Sequence, residues 1–321
     1  MFTNSKAATG IFRAYVIKLV LNGKKAIKTI LSTKDSDINA QDEHGFTALI
    51  VAAISGDTKR LQELLLNKNI KVNIKGYRGQ TALMHAAANV RTECLQELLL
   101  REDTNVDIKN DFGQTALMHI AGISSYSVEN EKCLKLFLSK KIDVNAQDHE
   151  GLTALMHAAN GRTECLKEFL LNLLSKDIKL NIKNNLGQTA LMLAAGVNTI
   201  YPWGGSTENL KQLLSQQGID LNAQDHNGLT ALMYAARSQD TERLTELLLR
   251  PDIDVTLKNN AGLSASMLGG EIYQLCMKRV ISAKTIIIFT AVNANKQTYK
   301  QAKEIIMLPT DLIPSIKAML I

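Results

Sequence analysis

Three histidines are the first residues whose type and spacing could support chemistry. His85, His119 and His157 each follow the letters ALM in three similar segments of the chain. Two imidazoles that share a zinc ion must each place a nitrogen about 2.0–2.1 Å from it. Neighbouring helices pack about 8–10 Å apart, so one histidine per helix leaves the nitrogens too far from a common ion. We therefore predict no metal site here, and the histidines are instead candidates for a contact surface.

The sequence also lacks the patterns that carry nucleophilic or cofactor-dependent catalysis. Of its four cysteines, Cys94, Cys133 and Cys165 each precede a leucine at equivalent places, as small buried hydrophobic residues do. The chain contains no CxxC pair, Walker loop, HExxH or GxSxG, the patterns of metal, phosphate and acyl chemistry. We expect neither enzymatic activity nor a cofactor, and the cysteine usage predicts a reducing, cytoplasmic location.

The elements that carry these residues are copies of one repeated unit. The run GFTALIVAA begins at Gly45 and returns, with substitutions, at spacings of 34 to 41 residues. The later copies begin at Gly79, Gly113, Gly151, Gly187, Gly228 and Gly262. In the first six units Gly-x-Thr predicts the start of a short helix with threonine as its N-cap. Leucines at helical spacing predict a second helix, and alternations such as DINAQDEHG predict a short hairpin.

This unit resembles the ankyrin repeat, whose pattern is a tight turn, a TPLHxAA helix, a leucine-rich helix and a DVNAxDxxG hairpin. The resemblance covers roughly residues 10–282. It implies an all-α fold, a solenoid of paired helices with short β-hairpin loops, followed by a small helical tail. The expected parts are an N-terminal capping repeat (1–44), seven further units (45–282) with insertions near 122–132 and 196–209, and the C-terminal tail (283–321).

The unit departs from the family pattern at two positions. Alanine replaces the family proline throughout, and methionine replaces the family histidine in six units. These methionines are Met84, Met118, Met156, Met192, Met233 and Met267. In the family that histidine links neighbouring repeats by hydrogen bonds. We expect a column of core thioethers here, because methionine packs adaptably in irregular interiors.

The resemblance implies a protein that binds a partner protein through its hairpin tips and the concave face of its inner helices. Aromatic and arginine side chains are favoured anchors in such interfaces. The candidates are Tyr77, Arg78, Asp111 and Phe112 at the tips, His85, His119, His157 and Tyr234 on the inner helices, and Tyr201 and Trp203 in the second insertion. Two alternatives stay open: the tip aromatics pack on their own hairpins, and Trp203 folds back against its own repeat.

Charge argues against a nucleic-acid partner. The net charge of +6 comes from the two ends of the chain, because residues 1–36 carry +6, residues 271–321 carry +4 and residues 37–270 carry −4. A phosphate-binding surface requires a basic stripe along its contact face. The sequence has no apolar stretch of the length that spans a membrane. We therefore expect a monomer that binds protein.

The tail offers a second function. The letters LPTDLIPSIKAMLI, from Leu308 to the end, resemble the opening of an F-box, a shortened form of which occurs in ankyrin proteins of poxviruses and some intracellular bacteria. Leu308, Pro309, Leu312 and Ile316 would then bind a Skp-type ubiquitin-ligase subunit. The chain would be a substrate adaptor, for instance a secreted effector or a viral host-range protein. The favoured alternative is that the tail caps the last repeat.

Overall fold

The computed structural model describes residues 37–122, 128–161, 165–171, 177–196 and 206–294, with side chains as far as residue 282. The chain divides into two compact units, Met1–Ala154 and Leu155–Ile321. Most of the predicted capping repeat, at residues 1–36, lies outside the described residues. Among the described helices none is long and apolar enough to span a membrane.

The first unit contains helix pairs, one pair per repeat. The pairs are α1 (Ala48–Ser55) with α2 (Thr58–Leu65), α3 (Ala82–Ala88) with α4 (Thr92–Leu100), and α5 (Ala116–Ala121) with α6 (Val128–Leu138). Inner helices contact inner helices of the next repeat, α1 with α3 and α3 with α5. Outer helices do the same, α2 with α4 and α4 with α6. The core of this unit therefore runs continuously from repeat to repeat, as expected for stacked repeats.

The second unit continues the same pattern. Its helices are α7 (Ala154–Asn160), α8 (Cys165–Leu171), α9 (Ala190–Ala195), α10 (Thr207–Leu214), α11 (Ala231–Ser238), α12 (Thr241–Leu248) and α13 (Ala265–Ala294). The last of these consists of two helical segments on either side of a kink at Gly270, whose φ is 50°. The inner α9 contacts α11, and α11 contacts α13.

The predicted threonine caps begin the inner helices. Thr81 Oγ1 accepts a hydrogen bond from Met84 N–H at 3.3 Å, and Thr230 Oγ1 accepts one from Met233 N–H at 3.3 Å. Each bond satisfies one of the N–H groups that a helix start leaves without a partner. Thr47 and Thr189 cap their helices in the same way. The Gly-x-Thr signal in the sequence is thus confirmed as a helix start.

The methionines lie in the core, with one exception. Met84, Met118, Met156, Met192 and Met233 are buried. Two of them also act as acceptors, since Thr115 N–H and Thr189 N–H each donate to the sulfur of the methionine three residues on, at 3.4 Å. Met267, in the last repeat, is instead 62% exposed. Cys94 and Cys133 are buried as predicted, and Cys276 is buried as well.

The hairpins are tight turns rather than strand ladders. In the first, Gly45 N–H donates to Asp42 C=O and Asp42 N–H donates to Phe46 C=O. Within the described residues, bridge pairing is limited to two isolated pairs, Gln147 with Thr153 and Lys258 with Ser264. Each hairpin is therefore only long enough to reverse the chain before the next inner helix.

Asparagines tie each hairpin to the next repeat. Asn39 Nδ2 donates to Asn69 C=O while its Oδ1 accepts from Lys71 N–H, both at 2.8 Å. Asn222 makes the same pair of bonds, to Asp252 C=O and from Asp254 N–H. These bonds give Asn39 and Asn222 a structural role, and Asn73 and Asn181 make equivalent pairs.

Removing one such link should destabilise the first unit measurably. We expect Asn73→Ala to lower the free energy of unfolding by about 1–3 kcal/mol, because Asp103 C=O and Asn105 N–H lose their partner. Urea denaturation of the full chain measures this. Asn67→Ala, which removes only a local bond to Asn69 N–H, is the matched control and should cost less. Equal losses in both variants would contradict the structural role of Asn73.

Candidate partner-binding surface

Two adjacent hairpin tips bring the strongest predicted contact residues together. The guanidinium carbon of Arg78 lies 5.2 Å from the ring centre of Tyr77 and 5.6 Å from the ring centre of Phe112. Both distances are within the range of a cation–π contact. Tyr77 is 39% exposed and Phe112 is 48% exposed. The three side chains form one exposed stack, which we call the tip stack.

The backbone holds the tip stack in place. Asp111 N–H donates to Arg78 C=O at 3.1 Å, and His149 N–H donates to Phe112 C=O at 3.0 Å, so successive tips are joined in series. The approach is close: a Cβ on Gly79, whose φ is +69°, would lie 2.3 Å from Asp111 Oδ1. Glycine is therefore required there. A surface fixed in this way loses little conformational freedom when a partner binds.

Phe46 lies beneath the tip stack and connects it to the core. This buried ring is 6.4 Å from Tyr77 and 5.8 Å from His85, centre to centre. In the other described repeats its position holds glutamine or leucine. Tyr77 thus packs partly on the preceding repeat and remains partly exposed.

His85 is in the core rather than on a contact face. It is 4% exposed, and its Nε2 has no hydrogen-bond partner. Burial lowers the pKa of His85 from 6.5 to about 4, with a smaller contribution from the nearby His119. Its predicted role as a partner contact is corrected accordingly, because Phe46 lies next to the ring. His157, at 8% exposure, is likewise an interior residue.

The other inner-helix candidates bond to their own hairpins. His119 Nε2 lies 3.4 Å from Asn110 Nδ2, and the Tyr234 hydroxyl donates to Asp225 Oδ2 at 2.6 Å. Gln188 Nε2 donates to the same hydroxyl at 2.7 Å. Burial and the bond to Asp225 raise the pKa of Tyr234 to about 12. Both side chains are partly exposed, so each joins its inner helix to the hairpin beside a candidate contact face.

The spacing between an inner-helix side chain and its hairpin partner explains why His85, unlike His119 and Tyr234, has no such partner. The partners of His119 and Tyr234 lie nine residues earlier in the chain, at Asn110 and Asp225. The residue nine positions before His85 is Gly76, which has no side chain. The sequence therefore contained a signal for the buried, unpaired imidazole that the search for metal and contact patterns did not use.

Several predicted site residues lie outside the described part of the chain. These are Tyr201 and Trp203 of the second insertion and Leu308, Pro309, Leu312 and Ile316 of the tail. Among the residues that the structure describes, no group of three or more histidine, cysteine, aspartate or glutamate side chains could hold a metal ion.

Sequence reasoning also missed the contacts of the long side chain that precedes each turn. Lys109 Nζ donates to Gln147 C=O, and Lys183 Nζ donates to Gln224 C=O, both at 2.8 Å. At the equivalent position Gln41 and Gln224 donate to carbonyls of their own turn and of the next hairpin. Either a lysine or a glutamine at this position can therefore bridge to the next repeat.

Comparison with known proteins finds a matching protein family and a solved structure of similar fold. A family model described as ankyrin repeats (3 copies) matches residues 16–110, 89–178, 124–201 and 168–259. The crystal structure of EF0377, an ankyrin repeat protein, is similar in fold, with a TM-score of 0.54 at 24% sequence identity. That similarity covers 66% of this chain and 98% of EF0377. No curated protein sequence matches the chain.

Stacked helix pairs joined by tight hairpins define an α-helical repeat protein of the interaction class. The matches of the family model extend over most of the sequence, and the chain belongs to the ankyrin-repeat family. Ankyrin repeats indicate a scaffold for protein–protein interaction, and proteins built from them are generally non-catalytic.

Proposed function

We propose that this protein is a non-catalytic scaffold that binds a partner protein through its hairpin tips and the adjoining inner-helix face, with the tip stack as the main contact. The observation that carries the proposal is the exposure of Tyr77 and Phe112 around Arg78 on two adjacent tips. Tyrosine and arginine are among the residue types enriched at interface hot spots.

Removing the two rings should abolish partner capture without unfolding the protein. We expect the double change Tyr77→Ala, Phe112→Ala to weaken binding by about 30-fold or more, as loss of a hot spot does. The melting temperature should change little, since both rings are partly exposed. Leu186→Ala, which removes an exposed apolar residue from a tip of the second unit, is the matched control.

A site-specific photocrosslinker identifies the contact face directly. We would place it at Asp111, beside the tip stack, and at Gln96 on the outer helix α4, then incubate each protein with eukaryotic cytosol. Crosslinks from position 111 that disappear in the double variant support the proposal. Equal crosslinking from Gln96, or capture that the double variant retains, would place the partner elsewhere on the protein.

For residues 283–321 we propose a cap on the last repeat. Met267 is 62% exposed and Leu275 is 46% exposed, whereas Met233, at the position equivalent to Met267, is buried. A terminal repeat needs either a polar outer face or a cover. The alternative, a substrate adaptor that recruits a Skp-type ubiquitin-ligase subunit, is supported only by the letters LPTDL.

A further inference from the structure

One turn in the first unit differs from all other described hairpin turns. Asp42, Asn110, Asp148, Asn184, Asp225 and Asn259 each begin a turn, and the side-chain oxygen accepts from the N–H groups two and four residues later. Gly76 occupies this position in the second repeat. A Cβ there would lie 3.0 Å from Gly45 C=O and from Ile50 Cδ1, so close packing on the preceding hairpin favours glycine.

The altered turn changes how Arg78 is presented. Without the side-chain acceptor, Tyr77–Gly79 form a short 3-10 turn in which Arg78 has φ 56° and ψ 30°. This left-handed conformation is uncommon for a residue with a side chain and costs about 1 kcal/mol or more. The residues at the same place in the other described turns do not adopt it. Among these turns, the strain is confined to the residue at the centre of the tip stack.

The contacts of the Arg78 guanidinium with two aromatic rings leave its in-plane N–H groups available to bind a partner. Tyr77 and Phe112 lie against it at ring-centre distances of 5.2 Å and 5.6 Å. Among the described residues, this guanidinium makes no ion pair and no hydrogen bond. Its N–H donors lie in the plane of the group and form a rigid fork whose geometry matches a carboxylate.

A second cation, Lys75, lies three residues before Arg78 in the sequence. Lys109 and Lys183 each donate to a carbonyl of the next hairpin. Lys75 occupies the equivalent position one residue before Gly76, yet in the described part of the chain its ammonium makes no such bond. Arg78 and Lys75, within four residues of sequence, are thus two cations that make no ion pair in the described part of the chain.

Resting on the proposed function, we infer that the partner presents an acidic segment: a carboxylate binds the in-plane donors of Arg78, and an adjacent apolar side chain packs on Tyr77 or Phe112. A protein segment fits better than a nucleic acid. The repeats between residues 37 and 270 carry a net charge of −4, which repels an extended polyanion but allows one carboxylate to bind at a local pair of cations.

A phage-displayed library of random 12-residue peptides, selected on the full chain, tests this inference. Enriched peptides should share an aspartate or glutamate next to an apolar residue. Changing that residue to its amide should weaken binding by about 10- to 100-fold, the range for a charge-assisted hydrogen-bonded pair. Arg78→Ala should cause a similar loss for the acidic peptide and almost none for the amide peptide.

Two conservative variants test the contributions of Arg78 and Lys75 separately. Arg78→Lys keeps the charge but loses the planar fork, so it should recover less than half of the logarithmic loss caused by Arg78→Ala. Lys75→Gln should reduce the salt dependence of binding, whereas Lys258→Gln, at the equivalent position in the second unit, should not. Peptides whose binding is unaffected by Arg78→Ala overturn the inference, as does tighter Arg78-dependent binding of a single-stranded DNA 20-mer.

The same selection separates failure of this inference from failure of the proposed function. Some enriched peptides could lack acidic residues and yet lose binding in the Tyr77→Ala, Phe112→Ala variant. That result would keep the tip stack as the contact site and would overturn only the inferred carboxylate contact. Peptides that are insensitive to all tip variants overturn both. Failure to enrich any peptide above an unrelated control protein also counts against both.

Discussion

Lowering the pH from 6.5 to about 4 is expected to remove about 3 kcal/mol of stability through His85 alone. The pKa of His85 is about 4 in the folded protein and 6.5 in the absence of the fold. Between these values the unfolded chain binds a proton that the folded protein does not, so stability rises with pH across this window. The contribution is fully present above pH 6.5 and is lost as the pH falls to about 4, at about 1.4 kcal/mol per pKa unit.

The change His85→Leu isolates this effect. Leucine is a natural choice because Leu193 occupies the equivalent position in another repeat and is buried there. Urea denaturation at pH 7.5 and at pH 4.5 should show a smaller loss of stability in His85→Leu than in the unmodified chain. Carboxylates titrate in the same range, but they are common to both proteins and cancel in the difference.

An exposed histidine provides the control. His44→Gln, which alters a histidine at an exposed hairpin tip, is measured beside His85→Leu as the control for the loss of a histidine. A pH dependence in His85→Leu equal to that of the unmodified chain would show that His85 is protonated in the folded protein, contrary to its burial beside Phe46.

The burial of His85 illustrates which features local sequence cannot predict. The inner and outer helices could be predicted because their signals are local: Thr81 caps within three residues, and Leu61 and Leu64 lie on one helical face. The environment of His85 instead depends on the absence of a side chain at Gly76 and on a ring, Phe46, from the preceding repeat. Each residue is visible in the sequence, but their meeting depends on how successive repeats pack.

The same reasoning applies to the candidate surface. Tyr77, Arg78 and Phe112 could be selected as interface residues from their types and their positions at adjacent tips. Their arrangement as a stack could not, because it depends on the left-handed conformation of Arg78 and on the bond that joins the two tips. Likewise, the apolar periodicity that predicts a buried methionine is correct for Met84 to Met233, but Met267, in the last described repeat, is exposed.

The double change Leu308→Ala, Leu312→Ala is expected to lower the melting temperature of the full chain. If the tail covers the last repeat, each truncated leucine costs about 2–5 kcal/mol, since a buried side chain is lost and a cavity remains. Lys300→Ala, a polar change in the same tail, should have little effect and is the control. An unchanged melting temperature, together with capture of a Skp-type subunit by the unmodified chain alone, would support the adaptor instead.

A double-mutant cycle in the full chain distinguishes a cap from a tail that folds independently. Met267→Ala removes the exposed apolar side chain that the cap would cover. If Leu308 and Leu312 pack on this end of the last repeat, the losses from Met267→Ala and from the double leucine change will not add, and the coupling should be about 0.5–3 kcal/mol. Strict additivity would mean that the tail stabilises the protein without touching Met267. Coupling of the expected size would show that the tail covers Met267. The equivalent methionines of the earlier repeats, such as Met233, are buried within the stack of repeats.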